Sequence, residues 1–264
     1  MTGYPLSGSP IYSIPLYIQI AEGLISHIEA HDLVPGQQLP SERELSLQLN
    51  VNRMTLRRAL RVLESQGFIV RKHGVGTFVA EPKIERQMEE VYRFSRGVQQ
   101  RGLTPGARII SMEVFMLEAA LAEELAVPVS SAAYRIVRLR SINQEPVLIE
   151  SYTIPQERFP GLLEQDLEGR SIFEIMESEY GVKITRAHQS FEPVAASSFE
   201  AELLGVEHRA PLMLESRLSF DERGRPVEVG RDRYRGDRFR FVTEAVPFEL
   251  RPSPQPQIQQ GEQG

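Results

Sequence analysis

Two segments decide the fold of the N-terminal part of this chain: Pro40-Ser41-Glu42-Arg43-Glu44-Leu45, and Asn52-Arg53-Met54-Thr55-Leu56-Arg57-Arg58-Ala59-Leu60-Arg61. Ser41 and Glu44 stand three apart, the spacing of a capping box. The serine hydroxyl accepts from the amide three residues on, and the glutamate carboxylate reaches back to the serine amide. A helix therefore starts here and carries Leu45 and Leu49 inward. Asn50-Val51-Asn52 interrupts it, and Asn52 is a good N-cap for a second helix over roughly 53–66. In that helix Leu56, Ala59, Leu60 and Leu63 form one apolar stripe. Arg53, Arg57 and Arg61 sit four apart on another side, with Thr55 and Arg58 nearby, and Gly67 follows as a stop. Residues 68–72 and 77–80 then read as strands around His73-Gly74-Val75-Gly76. Helix, turn, basic helix and glycine-tipped hairpin make a winged helix-turn-helix, whose second helix enters a major groove. A merely solvated helix face would mix both signs of charge. Between residues 40 and 80 the chain instead has seven basic residues (Arg43, Arg53, Arg57, Arg58, Arg61, Arg71, Lys72) against Glu42, Glu44 and Glu64.

The length of 264 residues allows two domains, each with its own core. Hydrophobic content of 41% and charged content of 25% are ordinary for a globular protein. No apolar run approaches the ~20 residues of a membrane span, and the N-terminus lacks the pattern of a secretory signal. Cysteine is absent, which removes disulfides and thiolate metal sites. The five histidines (27, 31, 73, 188, 208) show no metal-ligand spacing. A cytoplasmic protein without metal or cofactor is expected. Net charge is −6, yet residues 1–80 carry seven basic and six acidic groups while the remainder carries twenty-three and thirty. The basic surface is local to one helix and hairpin, as in a small nucleic-acid reader attached to something else.

Around this stretch, Pro15 to about residue 30 forms a first amphipathic helix on Leu16, Ile20, Leu24 and Ile28, with Gly23 marking a close approach to a neighbour. The continuous run from Pro35-Gly36 and Leu39-Pro40-Ser41-Glu42-Arg43-Glu44-Leu45, through Val51-Asn52-Arg53-Met54-Thr55-Leu56-Arg57-Arg58-Ala59-Leu60 and Leu63-Glu64-Ser65-Gln66-Gly67-Phe68-Ile69, to His73-Gly74-Val75-Gly76-Thr77-Phe78-Val79, resembles the winged-helix domain of the GntR superfamily of bacterial repressors. Asn52 departs from the serine of many relatives, but both cap a helix. The resemblance implies that Arg43, Arg53 and Arg57 approach guanine edges or phosphates, for which the planar guanidinium fork is suited. It implies further that Thr55 meets a phosphate or a thymine methyl, and that His73 and Gly74 at the wing tip reach a minor groove. Arg58 and Arg61 fit either a contact role or a purely local field.

The boundaries follow as 11–80 for the winged head, 81–93 for a linker and the start of a connecting helix, 94–250 for a second domain and 251–264 for an unfolded Pro/Gln-rich tail. The connecting helix is read over 84–100. Strands are read at 108–117, 132–141, 146–154, 182–194, 211–220, 227–234 and 239–249, and helices at 118–126, 171–180 and 198–204. Asn143-Gln144-Glu145 and the run Asp221 to Arg225 read as hairpin turns. The fold class is α+β, an antiparallel sheet with helices on one face.

In Tyr134-Arg135-Ile136-Val137-Arg138-Leu139-Arg140, the period of two places Arg138 and Arg140 on one face and packs Val137 and Leu139 inward on the other. Two adjacent arginines repel unless an anion lies between them. Glu150 on the following strand could hold one of them in an ordinary cross-strand pair, or accept from ligand hydroxyls. Arg101-Gly102-Leu103-Thr104-Pro105, Arg138-Leu139-Arg140, Ile149-Glu150-Ser151, Ile154-Pro155, Gly205-Val206 and Tyr234-Arg235-Gly236-Asp237-Arg238-Phe239 resemble, in order and spacing, the UTRA effector domain of the HutC-like branch, which shares a fold with chorismate lyase. The resemblance places Arg138, Arg140, Glu150, Ser171 and Tyr234 around a sugar phosphate, with Ser95 nearby. Ser171 also begins a helix whose amides favour a phosphate. Phe173 stands where such members have tyrosine, which bears on the ligand's identity. Arg186 can be structural.

The implied function is a homodimeric transcriptional regulator. It would be released from a palindromic operator by an anionic effector, a sugar or amino-sugar phosphate first, a carboxylate or phosphonate second. Two readings compete: an enzyme on the lyase-like fold, and a DNA-binding protein without effector response. Against the enzyme stand the lack of a metal set, a cysteine nucleophile, a glycine-rich phosphate loop and a Gly-x-Ser-x-Gly elbow.

Overall fold

The computed structural model describes residues 14–72, 74–87 and 94–244. Helix α1 is Leu16–Glu29, α2 is Glu42–Gln48 and α3 is Arg53–Ser65. The Ser41 amide donates to Glu44 Oε2 at 3.0 Å and the Glu44 amide to Ser41 Oγ at 3.3 Å, so the capping box starts α2. Asn52 Oδ1 accepts from the Met54 amide at 2.7 Å and starts α3. Leu45, Leu56, Ala59, Leu60 and Leu63 are buried with Ala21 and Leu24 of α1. Leu49 does not join them: α2 ends at Gln48, and Leu49 at the C-cap turns outward and is 40% exposed. Gly23 marks no close approach either, since a Cβ there would meet nothing within 4 Å.

The wing pairs β1 (Ile69–Lys72) with β2 (Gly76–Val79) in antiparallel register, Lys72 opposite Gly76. The segment before the capping box adds a third short edge, with the Leu39 amide donating to the Thr77 carbonyl at 2.8 Å. Gly67 leaves α3 at φ +75°, and a Cβ there would overlap the backbone of Asp237 in the second domain, so glycine is required twice over.

The residues read as one connecting helix divide. Ile84–Gln87 is a strand, β3, paired in parallel with β10 (Phe239–Val242), Ile84 opposite Phe239. Only Phe94–Gln100 is helical, α4. Pairing with a strand some 150 residues away overrides local helix propensity at Ile84-Glu85-Arg86-Gln87.

The second domain is a six-stranded antiparallel sheet in the order β4-β5-β6-β9-β8-β7. Its strands are β4 (Pro105–Met116), β5 (Ala132–Ile142), β6 (Glu145–Pro155), β7 (Ile184–Ala195), β8 (Pro211–Asp221) and β9 (Pro226–Arg235). Asn143 and Gln144, both at positive φ (49° and 69°), form the two-residue turn between β5 and β6, whose backbone twist matches the strands. Asp221 closes the β8–β9 turn by accepting from the amides of Arg223 and Arg225.

Helices cover both faces of this sheet rather than one. Ala119–Glu124 (α5) and Ser198–Leu204 (α7) lie over Ala133, Leu139 and Ile149, while Ile172–Tyr180 (α6) lies over Tyr134, Ile136, Tyr152 and Ile154. Both sides of β5 and β6 carry large apolar residues, so both need covering. Of the expected last strand, 245–249 lie outside the described residues, as do the tail and residues 88–93. No helix among the described residues is long and apolar enough to cross a membrane.

Candidate nucleic-acid interface and effector cavity

On the head, burial of Leu56, Ala59, Leu60 and Leu63 turns Arg53, Arg57, Arg58 and Arg61 outward, and Thr55 is half-buried between the two faces. Arg43 is exposed on the first turn of α2. Among the described residues neither Arg43 nor Arg53 has a carboxylate partner. Arg57 Nε, by contrast, lies 3.0 Å from Glu42 Oε2, and Arg71 is 3.2 Å from Glu64 and 3.6 Å from Glu42. Exposed pairs of this kind are worth ~0–1 kcal/mol, so a phosphate can displace them. Gly74 sits at the wing tip with φ +72°, beside Val75, which is 62% exposed. His73 lies outside the described residues. Met54, 58% exposed on the first turn of α3, sets an apolar side chain among these arginines, which the arginine pattern drew attention away from.

The second site is a cavity of about 280 Å³ between the sheet and helices α4 and α6. Ser95, Arg138, Arg140, Glu150, Ser171 and Tyr234 all line it. Register explains the grouping: Arg138 is opposite Glu150, Leu148 is opposite both Arg140 and Tyr234, and all point to the α6 side.

The anion between the two arginines is internal. Glu150 Oε2 accepts from Arg138 Nε at 3.0 Å and Nη2 at 2.6 Å, and both Glu150 oxygens lie 3.3 Å from Arg140 Nη1. Burial alone would raise the Glu150 carboxyl, but the two guanidinium groups overcome it and hold it at about 2. Arg138 Nη1 also donates to the carbonyls of Leu167 (2.7 Å) and Arg170 (3.1 Å), so this 1%-exposed side chain is committed to the protein. Burial would lower Arg138, and Glu150 raises it instead. Arg140 is less tightly held: Nε donates to the Gly106 carbonyl at 3.1 Å and Nη2 to Ser95 Oγ at 2.7 Å, over the Phe94 ring.

Ser171 begins α6, but the Ser171 amide donates to Glu174 Oε2 at 3.4 Å. A carboxylate of the protein thus already stands at the first turn, where the sequence suggested a phosphate. Tyr234 is 1% exposed, and its hydroxyl donates to Glu215 Oε2 at 2.9 Å. Arg186 stacks over the Phe220 ring at 4.4 Å, away from the cavity lining.

Sequence reasoning missed a second charged group on the same wall. Arg217 donates from Nε to Glu228 at 2.8 Å and from Nη1 to Asp232 at 2.8 Å and Glu215 at 3.3 Å, and Arg217 and Asp232 both line the cavity. Burial, then Glu215 and Glu150 against the opposing pull of Arg217, push the Asp232 carboxyl up to about 7. The signal was present in Glu215-x-Arg217-x-Ser219 and Glu228-x-Gly230-x-Asp232-x-Tyr234, but polar alternation reads as a solvent face. Arg86 of β3 also lines the cavity, 4.8 Å above the Tyr234 ring and 3.4 Å from Glu215. Among the described residues no three His, Asp or Glu side chains are grouped to hold a metal.

Two family models match the chain: that of bacterial regulatory proteins of the gntR family over residues 16–79, and that of the UTRA domain over residues 100–240. The chain is 38% identical over 229 residues to the HTH-type transcriptional repressor NagR of Bacillus subtilis (strain 168), spanning 87% of this chain and 94% of that one. It is 30% identical over 214 residues to a repressor named for the fructoselysine utilization operon in Escherichia coli (strain K12), spanning 81% and 88%. The crystal structure of PhnF from Mycobacterium smegmatis superposes with a TM-score of 0.62 at 28% identity, covering 88% of this chain and 99% of that one.

Proposed function

This chain belongs to the GntR family of bacterial regulatory proteins and is a transcriptional repressor of the GntR/HutC type, and we propose that a small anionic effector releases it from an inverted-repeat operator. On this reading Arg43 and Arg53, with Arg57 exchanging Glu42 for a phosphate, carry the DNA contacts, aided by Thr55 and the wing at His73 and Gly74. One α3 reads a half-site, so a homodimer with two-fold symmetry supplies the other.

The observation that carries the effector half is the state of Arg140. It lines a partly open cavity, and among the described residues its Nη2 is held by the Ser95 hydroxyl, a contact that a phosphate or carboxylate oxygen can join or replace. Ser171 and Tyr234 frame the same space, and Arg138 with Glu150 hold Arg140 in place. A sugar or amino-sugar phosphate suits this mixture of charge and hydroxyl partners best, and a relative named for fructoselysine utilization is in keeping with a sugar-derived effector.

The route to the head is short. Four residues, 80–83, separate the end of wing strand β2 at Val79 from strand β3, which places Arg86 over Tyr234; α4 then supplies Phe94 and Ser95 to the cavity. An effector drawing Ser95 and Arg86 toward the sheet would pull on the strand that leaves the wing. The head spacing then ceases to match the half-sites, provided the effector prefers that arrangement.

The test is operator binding measured with and without sugar phosphates, carboxylates and phosphonates. Release by one of them is the expected result. Binding indifferent to every one of them would sink the effector half and leave a constitutive repressor.

A further inference from the structure

Strand β4 forms one edge of the six-stranded sheet, and its two halves differ. Near its start the Ile109 amide donates to Glu168 Oε1 at 2.7 Å, so the chain caps its own edge there. Past the bulge between Ile109 and Ser111, β4 has β5 on one side and, among the described residues, no strand on the other. The Leu117 amide donates to the Ser131 carbonyl at 2.9 Å, toward β5. Strand alternation turns the backbone groups of Phe115 and Glu113 the same way, and leaves the amides and carbonyls of Met112, Val114 and Met116 pointing outward. The side chains of these same three residues are bare: the residues are 50%, 50% and 59% exposed, on the face that carries Tyr134 and Ile136. An exposed edge with apolar residues spaced two apart is a template for another strand.

Charge decides which strand fits. On the opposite face Arg135 Nη1 lies 2.9 Å from Glu113 Oε1, and its guanidinium carbon is 4.0 Å from the Phe115 ring centroid. Let a second β4 run antiparallel with Val114 on the two-fold axis. Val114 then meets the partner's Val114, and Met112 meets the partner's Met116. Glu113 stands opposite the partner's Phe115, on the side where the partner's Arg135 lies over that ring, so opposite charges approach across the axis. The neighbouring registers lose this match. One sets Glu113 against the partner's Glu113, and the other sets Met112 against the partner's Glu118. Like charges directly opposite destabilise a strand pair, whereas matched apolar pairs and opposite charges support it.

We propose that the outer half of β4 pairs with β4 of a second copy of this chain, Val114 on the axis, joining the two six-stranded sheets into one. The surface is the same on both copies, so the assembly closes at two. This inference rests on the homodimer of the reading above and names where its subunits meet.

The chain contains no cysteine, so single cysteines report the register of the full-length protein directly. Two residues facing each other in a hydrogen-bonded antiparallel pair have Cα atoms about 5.5 Å apart, inside the range of a disulfide. Under a mild oxidant Val114→Cys should form a covalent dimer, read on a non-reducing gel. Met112→Cys and Glu113→Cys, each as exposed but off the axis, should cross-link ~tenfold less or worse. The double variant Met112→Cys with Met116→Cys should cross-link again. Val114→Asp sets two like charges on the axis and should raise the dimer dissociation constant by ~hundredfold or more in sedimentation, with an unchanged circular dichroism spectrum. Cross-linking that favours Met112→Cys or Glu113→Cys overturns the proposal, as does a dimer that Val114→Cys fails to trap and Val114→Asp fails to weaken; both leave the homodimer reading standing. A wild-type protein that sediments as a monomer at every concentration, and on operator DNA, would overturn the two together.

Discussion

In the head the buried side chains are apolar and the arginines lie outside; in the effector domain the arginines lie inside. Among the described residues between 14 and 80, Ser46 is the one polar residue that is buried, while Arg138, Arg140, Glu150, Glu215, Arg217, Glu228 and Asp232 are all buried in the second sheet. The head reads a surface presented by another molecule, so its charge must face solvent and its interior needs only to be dry and well packed. On the proposed function the second domain encloses an anionic metabolite, and its buried charges are set against one another, Glu150 with Arg138 and Arg140, and Arg217 with Glu228 and Asp232. Apolar cores tolerate gradual change, whereas a buried charge left alone does not.

Five substitutions probe that contrast, in order of expected effect. Glu150→Gln keeps the shape but leaves Arg138 and Arg140 facing each other, and should cost the effector domain ~3–5 kcal/mol in denaturant unfolding. A loss below ~1 kcal/mol would show the cluster is not held by this carboxylate. Leu60→Ala in the head core should cost ~2–5 kcal/mol, read as loss of the head's cooperative transition. Third comes Arg53→Ala, which removes an exposed cation from α3 and should weaken operator binding by ~1–3 kcal/mol with an unchanged melting temperature.

Asp232→Asn tests the charged interior by pH. With its carboxyl raised from 3.8 to about 7, folded protein holds a proton that unfolded protein releases. The resulting stability is complete below pH ~4 and is lost as pH rises to ~7, with a slope of about 1 kcal/mol per unit. The Asn variant should flatten this slope in melting curves taken between pH 4 and 7, and an unaltered slope would assign it to other groups. Smallest is Glu42→Gln, which frees Arg57 while Arg71 keeps Glu64, and should tighten binding to DNA by less than ~1 kcal/mol. Weakened binding would mean Glu42 positions Arg57 for the operator.

The same contrast governs how far each region was legible. Caps and an apolar stripe are local signals, so α2 and α3 and the outward arginines could be read directly from Ser41, Glu44, Asn52 and Leu56. The six cavity residues could be grouped because strand alternation and a family resemblance both pointed at Arg138, Arg140 and Glu150. Strand β3 could not, because nothing in Ile84-Glu85-Arg86-Gln87 announces a partner at Phe239. Arg217 and Asp232 stayed hidden for a related reason: alternating polar residues look solvated until a helix is seen to cover them.

Local spacing of three, four or two along the chain is enough for the winged head, the α+β second domain and the faces on which their arginines lie. The packing of strands and helices sets Glu150 between the two arginines, Glu174 at the start of α6, and Arg217 across Gly230 against Glu228 and Asp232. Those outcomes depend on which strands become neighbours. Sequence periodicity tells which side of a strand a residue takes, and strand order tells what it meets there.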